Sequence, residues 1–423
     1  MMQRQNARPG AVIVGGAQGS LAVARSLGRR GIPVFFVTHD NQLARFSRYV
    51  NGAAGWVGPE HPDAADALLA IGRRHGLDGY LLFPGGDSEV RFVAEQHAKL
   101  ASVYRITTPG WDTARWALDK RLTYERATSL AIDHPRSLYP RSIADIANAE
   151  LRFPIILKPA VRWSSNAFTL AKAWRVDDRD TLLARCDQAF SLVGEGGVIL
   201  QEMIPGDGSA QYSYAALWDR GQPVAALVAR RARQYPLEFG YSSTLVQTLE
   251  CGEVEQAAVR FLKSLDYTGL VEVEFKYDAR DRRYKLLDVN ARNWTWISLG
   301  ASVGVDFPHL LWRLANGETV PPARGRTGAT WVYASRDAIA ACQLIAARKL
   351  SVASFMGSLR APLTFAVFAK DDVAPFIVEL PLVGWRLLTR RMPLLAGELR
   401  IVLGRWLSAA RARLPRRVTA GNS

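Results

Sequence analysis

The first hundred residues alternate between short apolar runs and longer amphipathic runs. The apolar runs "AVIVG", "IPVFFV" and "GYLLFP" have the length and composition of buried strands. The runs "SLAVARSLGRR", "DAADALLAIGRRHG" and "SEVRFVAEQHAKL" have helical periodicity. This alternation predicts a parallel sheet with crossover helices. The loops "GGAQGS", "THD" and "PGGDSE" would then share one crevice beyond the carboxyl ends of the strands.

A second unit begins near Thr108, where the pattern changes. The helical run "WDTARWALDKRLTYERATSL" precedes two strand-like runs, "FPIILKPA" and "GVILQEMIPGDG". A strand-rich stretch follows, and "EVEQAAVRFLKSLD" then predicts an amphipathic helix. The proline and glycine cluster "NGETVPPARGRTG" predicts a boundary. The predicted segments are residues 1–107, 108–205, 206–322 and 323–423.

The most informative pattern is the hairpin sequence "VEVEFKYDARDRRYKLLDVNARNW". Taking "ARDRR" as the turn sets the register of its two strands. The predicted pairs are Asp278 with Tyr284, Glu274 with Asp288, and Glu272 with Asn290. Because side chains alternate along a strand, three acids and one amide share a face. The opposite face is predicted to be core, with Val271, Val273, Phe275, Leu287, Val289 and Ala291.

Carboxylates that face each other across two strands repel, so this face needs a compensating charge. Mg²⁺ would supply it, because this ion takes a few carboxylate or amide oxygens and completes its shell with phosphate and water. Arg292 lies two residues beyond Asn290 and could then form a forked contact with a phosphate. The alternative is a solvated face whose acids are neutralised by Lys276, Lys285 and the turn arginines.

Composition sets broad limits on the chain. Its 423 residues predict two to four domains, and 48% hydrophobic residues with 22% charged residues are typical of a globular protein. The three cysteines, at 186, 251 and 342, fit neither a disulfide framework nor a metal knuckle. Since neither a signal sequence nor an apolar run of about 18 residues is present, the expected location is the cytoplasm.

The net charge of +15 is concentrated toward the C-terminus. Residues 381–423 contain nine arginines and one acid, interleaved with apolar clusters. Such a basic amphipathic helix favours an anionic membrane surface, with Trp385 and Trp406 as interfacial anchors. The alternative is a helix packed on the body with its arginines in water. Nucleic acid is disfavoured as a partner, because base-stacking motifs are absent.

Four motifs in order, "ALDKRLTYERA", "FPIILKPA", "LQEMIPG" and the acidic hairpin, resemble the ATP-grasp superfamily, in particular uncharacterised carboxylate-amine ligases. The resemblance covers roughly residues 10–320. It implies a Rossmann-like parallel-sheet domain followed by a two-lobed α+β ATP-grasp domain. The chain would add a basic helical C-terminal extension.

The resemblance also implies roles for individual residues. Lys120 and Lys158 match the two phosphate lysines, and Ser165 lies in the phosphate loop, which here lacks the usual glycines. The adenine segment corresponds to Gln201, Glu202, Met203 and Ile204, and the ribose contact to Asp207 or Gln211. The metal ligands correspond to Glu274, Asp288 and Asn290, and the arginine that follows them to Arg292.

Two further groups of residues are candidates for substrate binding. Arg231 and Arg233 lie on a strand-like stretch, would share a face, and could hold an acyl phosphate or an acidic substrate; an exposed basic strand is the alternative. The glycine turn "GGAQGS" departs from the pattern G-x-G-x-x-G, which argues against a dinucleotide site. With "PGGDSE" it would instead bind a carboxylate substrate, through Gly16, Gln18 and Asp87.

The resemblance implies an enzyme that uses ATP and one or two Mg²⁺ ions, with Mn²⁺ as an alternative metal. A substrate carboxylate would attack the γ-phosphate, and an amine would displace phosphate from the resulting acyl phosphate. Two alternatives stay open at this stage. One is a phosphotransferase on the same fold, and the other is a membrane-surface protein with a vestigial nucleotide site.

Overall fold

The computed structural model describes residues 9–160, 166–171, 173–238 and 242–386. Ser165 and the tail from residue 387 onward lie outside the described residues, so the predictions made for them stay predictions. The described strands form three sheets, of five, four and eight strands. Within these ranges, no helix is long and apolar enough to cross a membrane.

The N-terminal unit is the predicted parallel sheet with crossover helices. Its strand order is β3-β2-β1-β4-β5, and every neighbouring pair is parallel. All residues of the three central strands are buried, because helices cover both faces. The elements are β1 (Ala11–Val14), α1 (Gln18–Gly28), β2 (Val34–Thr38), β3 (Gly52–Gly55), α2 (Ala64–His75), β4 (Leu81–Pro84), α3 (Asp87–Glu95), α4 (His97–Leu100) and β5 (Arg105–Ile106).

Two helices, α5 (Trp111–Leu118) and α6 (Lys120–Ser129), connect this unit to the next. The sequence predicted one continuous helical run here. Asp119 interrupts it with an extended backbone, and its carboxylate caps the new helix by accepting a hydrogen bond from the backbone N of Arg121 at 2.9 Å. The break places Lys120 in the first turn of α6.

A four-stranded antiparallel sheet follows, with order β6-β9-β7-β8. Apolar residues of β7 and β9 pack with Phe168, Leu182 and Cys186 from the adjacent helices. The elements are β6 (Ser137–Leu138), α7 (Ile143–Ala147), β7 (Ile155–Pro159), α8 (Ala167–Ala171), β8 (Trp174–Val176), α9 (Arg179–Val193) and β9 (Val198–Glu202).

The eight-stranded sheet contains the predicted acidic hairpin. Its order is β14-β13-β10-β11-β12-β16-β17, and β15 pairs with β11. Three strands beyond residue 322 therefore belong to this sheet. The elements are β10 (Gln211–Asp219), β11 (Gln222–Tyr235), β12 (Ser242–Leu249), α10 (Gly252–Lys263), β13 (Gly269–Asp278), β14 (Arg283–Asn290), α11 (Leu299–Ser302), α12 (Phe307–Ala315), β15 (Ala323–Arg324), β16 (Thr330–Val332), α13 (Ala334–Ala346), α14 (Val352–Ser358), β17 (Leu363–Phe365) and α15 (Ala374–Arg386).

The N-terminal unit and the large sheet share one hydrophobic core. Leu21 of α1 belongs to the same buried cluster as Trp294 and Trp331. The close approach needs a glycine at position 19, because a Cβ there would lie 2.7 Å from the carbonyl oxygen of Trp294. This packing sets the glycine turn beside the end of the acidic hairpin.

Candidate functional site

The hairpin brings its polar residues together as predicted. Glu272 pairs with Asn290, and Glu274 pairs with Asp288. The predicted pairing of Asp278 with Tyr284 is wrong, since Asp278 pairs with Arg283. An extra residue in β14, Leu287, accounts for the shift.

This β-bulge also changes the core face of the hairpin. Leu286 is fully buried, whereas Leu287, which was predicted to be core, is only half-buried. The backbone carbonyl of Leu287 accepts a hydrogen bond from the Tyr124 hydroxyl at 2.8 Å. The bulge therefore ties the hairpin to α6, the helix that begins with Lys120.

Glu272 is more buried than Glu274 and Asp288, with 4% of its surface exposed. Its carboxylate accepts hydrogen bonds from Ser213 Oγ at 3.0 Å and from Trp296 Nε1 at 2.9 Å. Asn290 Nδ2 donates to both Glu272 and Glu274, at 3.1 and 3.0 Å. Burial, reinforced by the charge of Glu274, raises the pKa of Glu272 to about 7.

The solvated-face alternative for the hairpin is wrong. The two lysines that would have neutralised the acids have other partners. Lys285 binds Asp278 at 2.8 Å and Glu202 at 3.1 Å, and Lys276 Nζ donates to the backbone carbonyl of Ile204 at 2.9 Å. These lysines connect the hairpin to the segment that follows β9.

Two other cations contact the acids instead. Lys120 Nζ lies 2.5 Å from Asp288 Oδ1, and Arg231 lies 3.4 Å from Glu274 Oε2. The donor set of two carboxylates and the Asn290 amide fits a hard divalent cation that takes its other ligands from phosphate and water. No cluster of three or more His, Cys, Asp or Glu side chains able to hold a metal occurs in the described ranges.

Arg292 links the hairpin to the N-terminal unit. Its Nε donates to Asp87 Oδ1 at 2.6 Å, and another guanidinium nitrogen donates to Asn290 Oδ1 at 3.1 Å. Burial alone would lower the pKa of Arg292, but the charge and hydrogen bond of Asp87, with the charge of Glu272, raise it above its ordinary value. Arg292 thus stays a permanent cation beside the acids.

A cleft of about 530 Å³ opens between the N-terminal unit and the large sheet. All three N-terminal loops predicted to share a crevice line it. The metal candidates, both arginines that contact them and all three candidate substrate residues also line it. These residues are Gly16, Gln18, Asp87, Arg231, Glu274, Asp288, Asn290 and Arg292.

Apart from Lys120 on α6, the described residues predicted to bind the nucleotide phosphates and base lie on β7, on β9 and directly after β9. Lys158 Nζ donates to Gln201 Oε1 at 2.7 Å, which joins the two strands. Glu202 accepts from the backbone N of Arg136 and from Lys285, and these contacts outweigh burial and lower its pKa. Met203 is half-buried and Ile204 is buried. None of these residues lines the cleft.

The two ribose candidates differ in their surroundings. Asp207 is exposed and accepts a hydrogen bond from the backbone N of Ser209 at 2.8 Å. Gln211 Oε1 accepts from Arg231 at 2.6 Å, which connects it to the hairpin acids.

Arg233 does not line the cleft, and the prediction that it shares a face with Arg231 is wrong. A bulge at Ala232 shifts the pairing of β11 with β12 between the two arginines. The Arg233 guanidinium is buried against α13, where it binds Asp337 at 2.9 and 2.7 Å. Arg233 is therefore a positioning residue for α13.

The sequence motifs missed several residues of the cleft wall. Glu89 is buried beside the glycine turn, and desolvation raises its pKa to about 7. Tyr333, Arg336 and Glu379 reach the cleft from beyond the predicted boundary. Thr169 reaches it from α8. Glu89 ends the quoted loop "PGGDSE", whereas the other four residues lie in none of the quoted motifs, because tertiary packing alone brings them to the cleft.

Comparisons with known proteins agree with this architecture. A family model described as the carbamoyl-phosphate synthase L chain, ATP binding domain, matches residues 226–322. The chain is 23% identical to a D-aspartate ligase of Enterococcus faecium (strain Aus0004) over 297 residues, which cover 66% of this chain and 70% of that protein.

Solved structures show the same fold over most of the chain. The L-amino acid ligase of Bacillus licheniformis superposes with a TM-score of 0.58 at 16% identity, covering 77% of this chain and 79% of that one. The biotin carboxylase domain of the Hydrogenobacter thermophilus 2-oxoglutarate carboxylase, solved with MgADP and bicarbonate, gives 0.59 at 16% identity, covering 77% and 74%. The chain thus has the ATP-grasp fold, and the predicted resemblance to the ATP-grasp superfamily is confirmed.

Proposed function

We propose that the protein is an ATP- and Mg²⁺-dependent ligase that joins a carboxylate to an amine through an acyl phosphate. The observation that carries this proposal is the pairing of Glu274 with Asp288 beside Asn290, with Lys120 on the acids and the cleft in front of them. Phosphoryl transfer needs this combination of positioned cations and oxygen ligands.

Glu274, Asp288 and Asn290 would hold Mg²⁺, which supplies positive charge to the nucleotide phosphates when bound. Lys120 and Lys158 are assigned to the phosphates as well. In the structure, the Lys120 ammonium group donates a hydrogen bond to Asp288, and the Lys158 ammonium group donates one to Gln201. The segment from Gln201 to Ile204 is assigned to adenine, and Gln211 or Asp207 to the ribose.

The reaction would proceed in two steps. An oxygen of the substrate carboxylate attacks the γ-phosphorus, the bond to the β-phosphate oxygen breaks, and ADP leaves. The amine nitrogen then attacks the acyl carbon, phosphate leaves, and the amine loses a proton. Arg231 and Arg292 line the cleft beside the acids, where their charges would stabilise the acyl phosphate.

The glycine turn is assigned to the carboxylate substrate. Gly16 has a φ of +78°, which a residue with a side chain rarely adopts, and it lines the cleft with Gln18 and Asp87. A D-aspartate ligase and an L-amino acid ligase among the similar proteins support an amino acid as one of the substrates.

The test is to incubate the purified protein with ATP, Mg²⁺ and a pooled metabolite extract and to search by mass spectrometry for a product formed from two metabolites with loss of water. ADP and inorganic phosphate should appear in equal amounts. ADP without phosphate would contradict the ligase and indicate a phosphotransferase.

Asp288→Asn tests the metal assignment within this function. The substitution removes one anionic oxygen ligand, so ATP turnover should fall to background while circular dichroism and thermal unfolding stay unchanged. Asp63→Asn, at an exposed position of the N-terminal unit, is the matched control and should keep full turnover. Undiminished turnover by Asp288→Asn would refute the assignment.

A further inference from the structure

The C-terminal segment forms part of the cleft wall. Tyr333 follows β16, Arg336 lies on α13, and Glu379 lies on α15. All three residues lie beyond residue 322, where the match to the ATP-binding domain ends. The segment therefore adds chemistry to the cleft that the matched domain does not contain.

Glu379 is a buried carboxylate with unmet hydrogen-bonding capacity. Only 4% of its surface is exposed, and among the described residues its Oε1 has no hydrogen-bond partner. A buried acceptor without a donor is energetically unfavourable. Burial raises the pKa of Glu379, while hydrogen bonding to Tyr333 and the charge of Arg336 act in the opposite direction. A cationic donor from a ligand would satisfy this oxygen.

Arg336 places the opposite charge in the same wall. Its guanidinium lies over the ring of Tyr333, 5.0 Å from the centroid, and the side chain is half-buried. In the described part of the chain, Arg336 forms no ion pair within the distance typical of salt bridges. A half-buried guanidinium that forms no ion pair offers two parallel N–H donors, and this geometry fits the two oxygens of a carboxylate.

Two contacts anchor the cleft wall around Arg336. The buried pair of Arg233 with Asp337 fixes α13 at the residue next to Arg336. Gln18 Nε2 of the glycine turn donates to the Tyr333 hydroxyl at 2.7 Å. These contacts connect the wall beside Arg336 to the large sheet and to the N-terminal unit.

We propose that Glu379 and Arg336 form a subsite that binds the ammonium and carboxylate groups of an amino-acid substrate. An amine alone would leave the Arg336 guanidinium without a bound carboxylate, and a simple carboxylic acid would leave Glu379 Oε1 without a donor. A molecule with both groups satisfies both residues. The assignment of this molecule as a substrate rests on the proposed ligase function.

The test measures amino-acid binding to the full chain by calorimetry, with and without Mg²⁺ and a non-hydrolysable ATP analogue. The probes are the common amino acids in both enantiomers, and each binder is compared with analogues that lack one group. For aspartate these are succinate, which lacks the amino group, and β-alanine, which lacks the α-carboxylate. Each analogue is expected to bind at least tenfold more weakly.

Two substitutions test which side chain binds the ammonium group and which binds the carboxylate group of the amino acid. Glu379→Gln should abolish the preference for the amino acid over its desamino analogue, and Arg336→Gln should abolish the preference over the decarboxylated analogue. Arg336→Lys should retain part of the preference that Arg336→Gln loses, and Arg326→Gln, at an exposed position, should change nothing. Thermal unfolding confirms that each variant is folded.

The outcomes separate this proposal from the proposed function. Binding of no amino acid, or variants that keep both preferences, would overturn the subsite even if ADP and phosphate are formed. Selective binding that depends on Glu379 and Arg336, without formation of ADP and phosphate, would uphold the subsite and refute the ligase.

Discussion

At the scale of single residues, Glu89 predicts a pH dependence of stability. Burial raises its pKa from 4.5 to about 7, so the folded protein binds this proton more tightly than the unfolded chain. The contribution of Glu89 to the free energy of unfolding therefore falls as pH rises from about 4.5 to about 7, and is level above that. Glu89→Gln removes the ionisable group and should gain up to about 3 kcal/mol over the natural protein at pH 8, and less than about 1 kcal/mol at pH 5.

Urea unfolding of both chains across this pH range measures the effect. Glu150→Gln is the matched control, because Glu150 is exposed, and its curve should run parallel to that of the natural protein. A Glu89→Gln variant whose stability also stays parallel to that of the natural protein would show that the Glu89 carboxyl is not the source of the pH dependence.

Two β-bulges, at Leu287 and at Ala232, explain where the alternation of apolar and polar residues failed to predict which face a side chain occupies. Leu286 and Leu287 are both apolar, so the alternation of the strand cannot tell which one enters the core, and a bulge decides it. The bulge at Ala232 similarly separates Arg231 from Arg233. The predicted register of the four polar hairpin residues is correct because the predicted turn is one residue too long, and this offsets the extra residue Leu287 in β14. Bulges depend on packing against neighbouring strands, which the pattern does not contain.

At the scale of elements, the Arg233 and Asp337 pair predicts how α13 is anchored. Both side chains are at least 94% buried, with exposures of 6% and 2%. Arg233→Met leaves the Asp337 carboxylate buried without its partner and should lower the free energy of unfolding by about 3 kcal/mol. The double variant Arg233→Met with Asp337→Leu should recover most of this loss, because neither charge is then buried.

A double-mutant cycle in urea makes this measurement. The exposed pair of Arg324 with Glu255 is the control, where Arg324→Met should cost less than about 1 kcal/mol. If the double variant were as unstable as the sum of both single variants, the pair would not be coupled, and the anchoring role of Arg233 would be refuted.

The elements themselves were largely predictable. Strands β1, β2 and β4 are short apolar runs, and α10 has a strong amphipathic pattern, so local sequence identifies them. The break at Asp119 was not predictable from periodicity, since the residues on both sides are helix formers. It depends on the cap that the Asp119 side chain provides, and it places Lys120 beside Asp288.

At the scale of the whole molecule, the C-terminal segment is tied to the N-terminal unit. Arg25 of α1 binds Asp372 at 2.8 Å, and Ser47 Oγ donates to the same carboxylate at 2.7 Å. With β16 and β17 in the large sheet, this contact brings α15 to the cleft. The sequence resemblance ends near residue 320, so it could not predict the contribution of Tyr333, Arg336 or Glu379.

Helix α15 also has an exposed apolar surface, whose residues do not line the cleft. Ile377, Leu380 and Trp385 are 67%, 68% and 66% exposed, whereas Glu379 on the same helix is buried. The chain then continues into the basic tail, which lies outside the described residues and contains most of the nine arginines after residue 380. Exposed apolar residues next to a basic segment are typical of proteins that bind an anionic membrane surface.

We therefore expect the full chain to sediment with vesicles that contain phosphatidylglycerol and not with vesicles of phosphatidylcholine alone. Replacing Arg411, Arg413, Arg416 and Arg417 by glutamine should weaken binding by about 4 kcal/mol, since each arginine near the surface contributes about 1 kcal/mol. High salt should weaken it similarly, because the attraction is screened. Ile377→Ser with Leu380→Ser tests the apolar contribution separately. If the full chain does not sediment with anionic vesicles, or if all variants bind them equally, the membrane-surface role of the tail and of α15 is refuted.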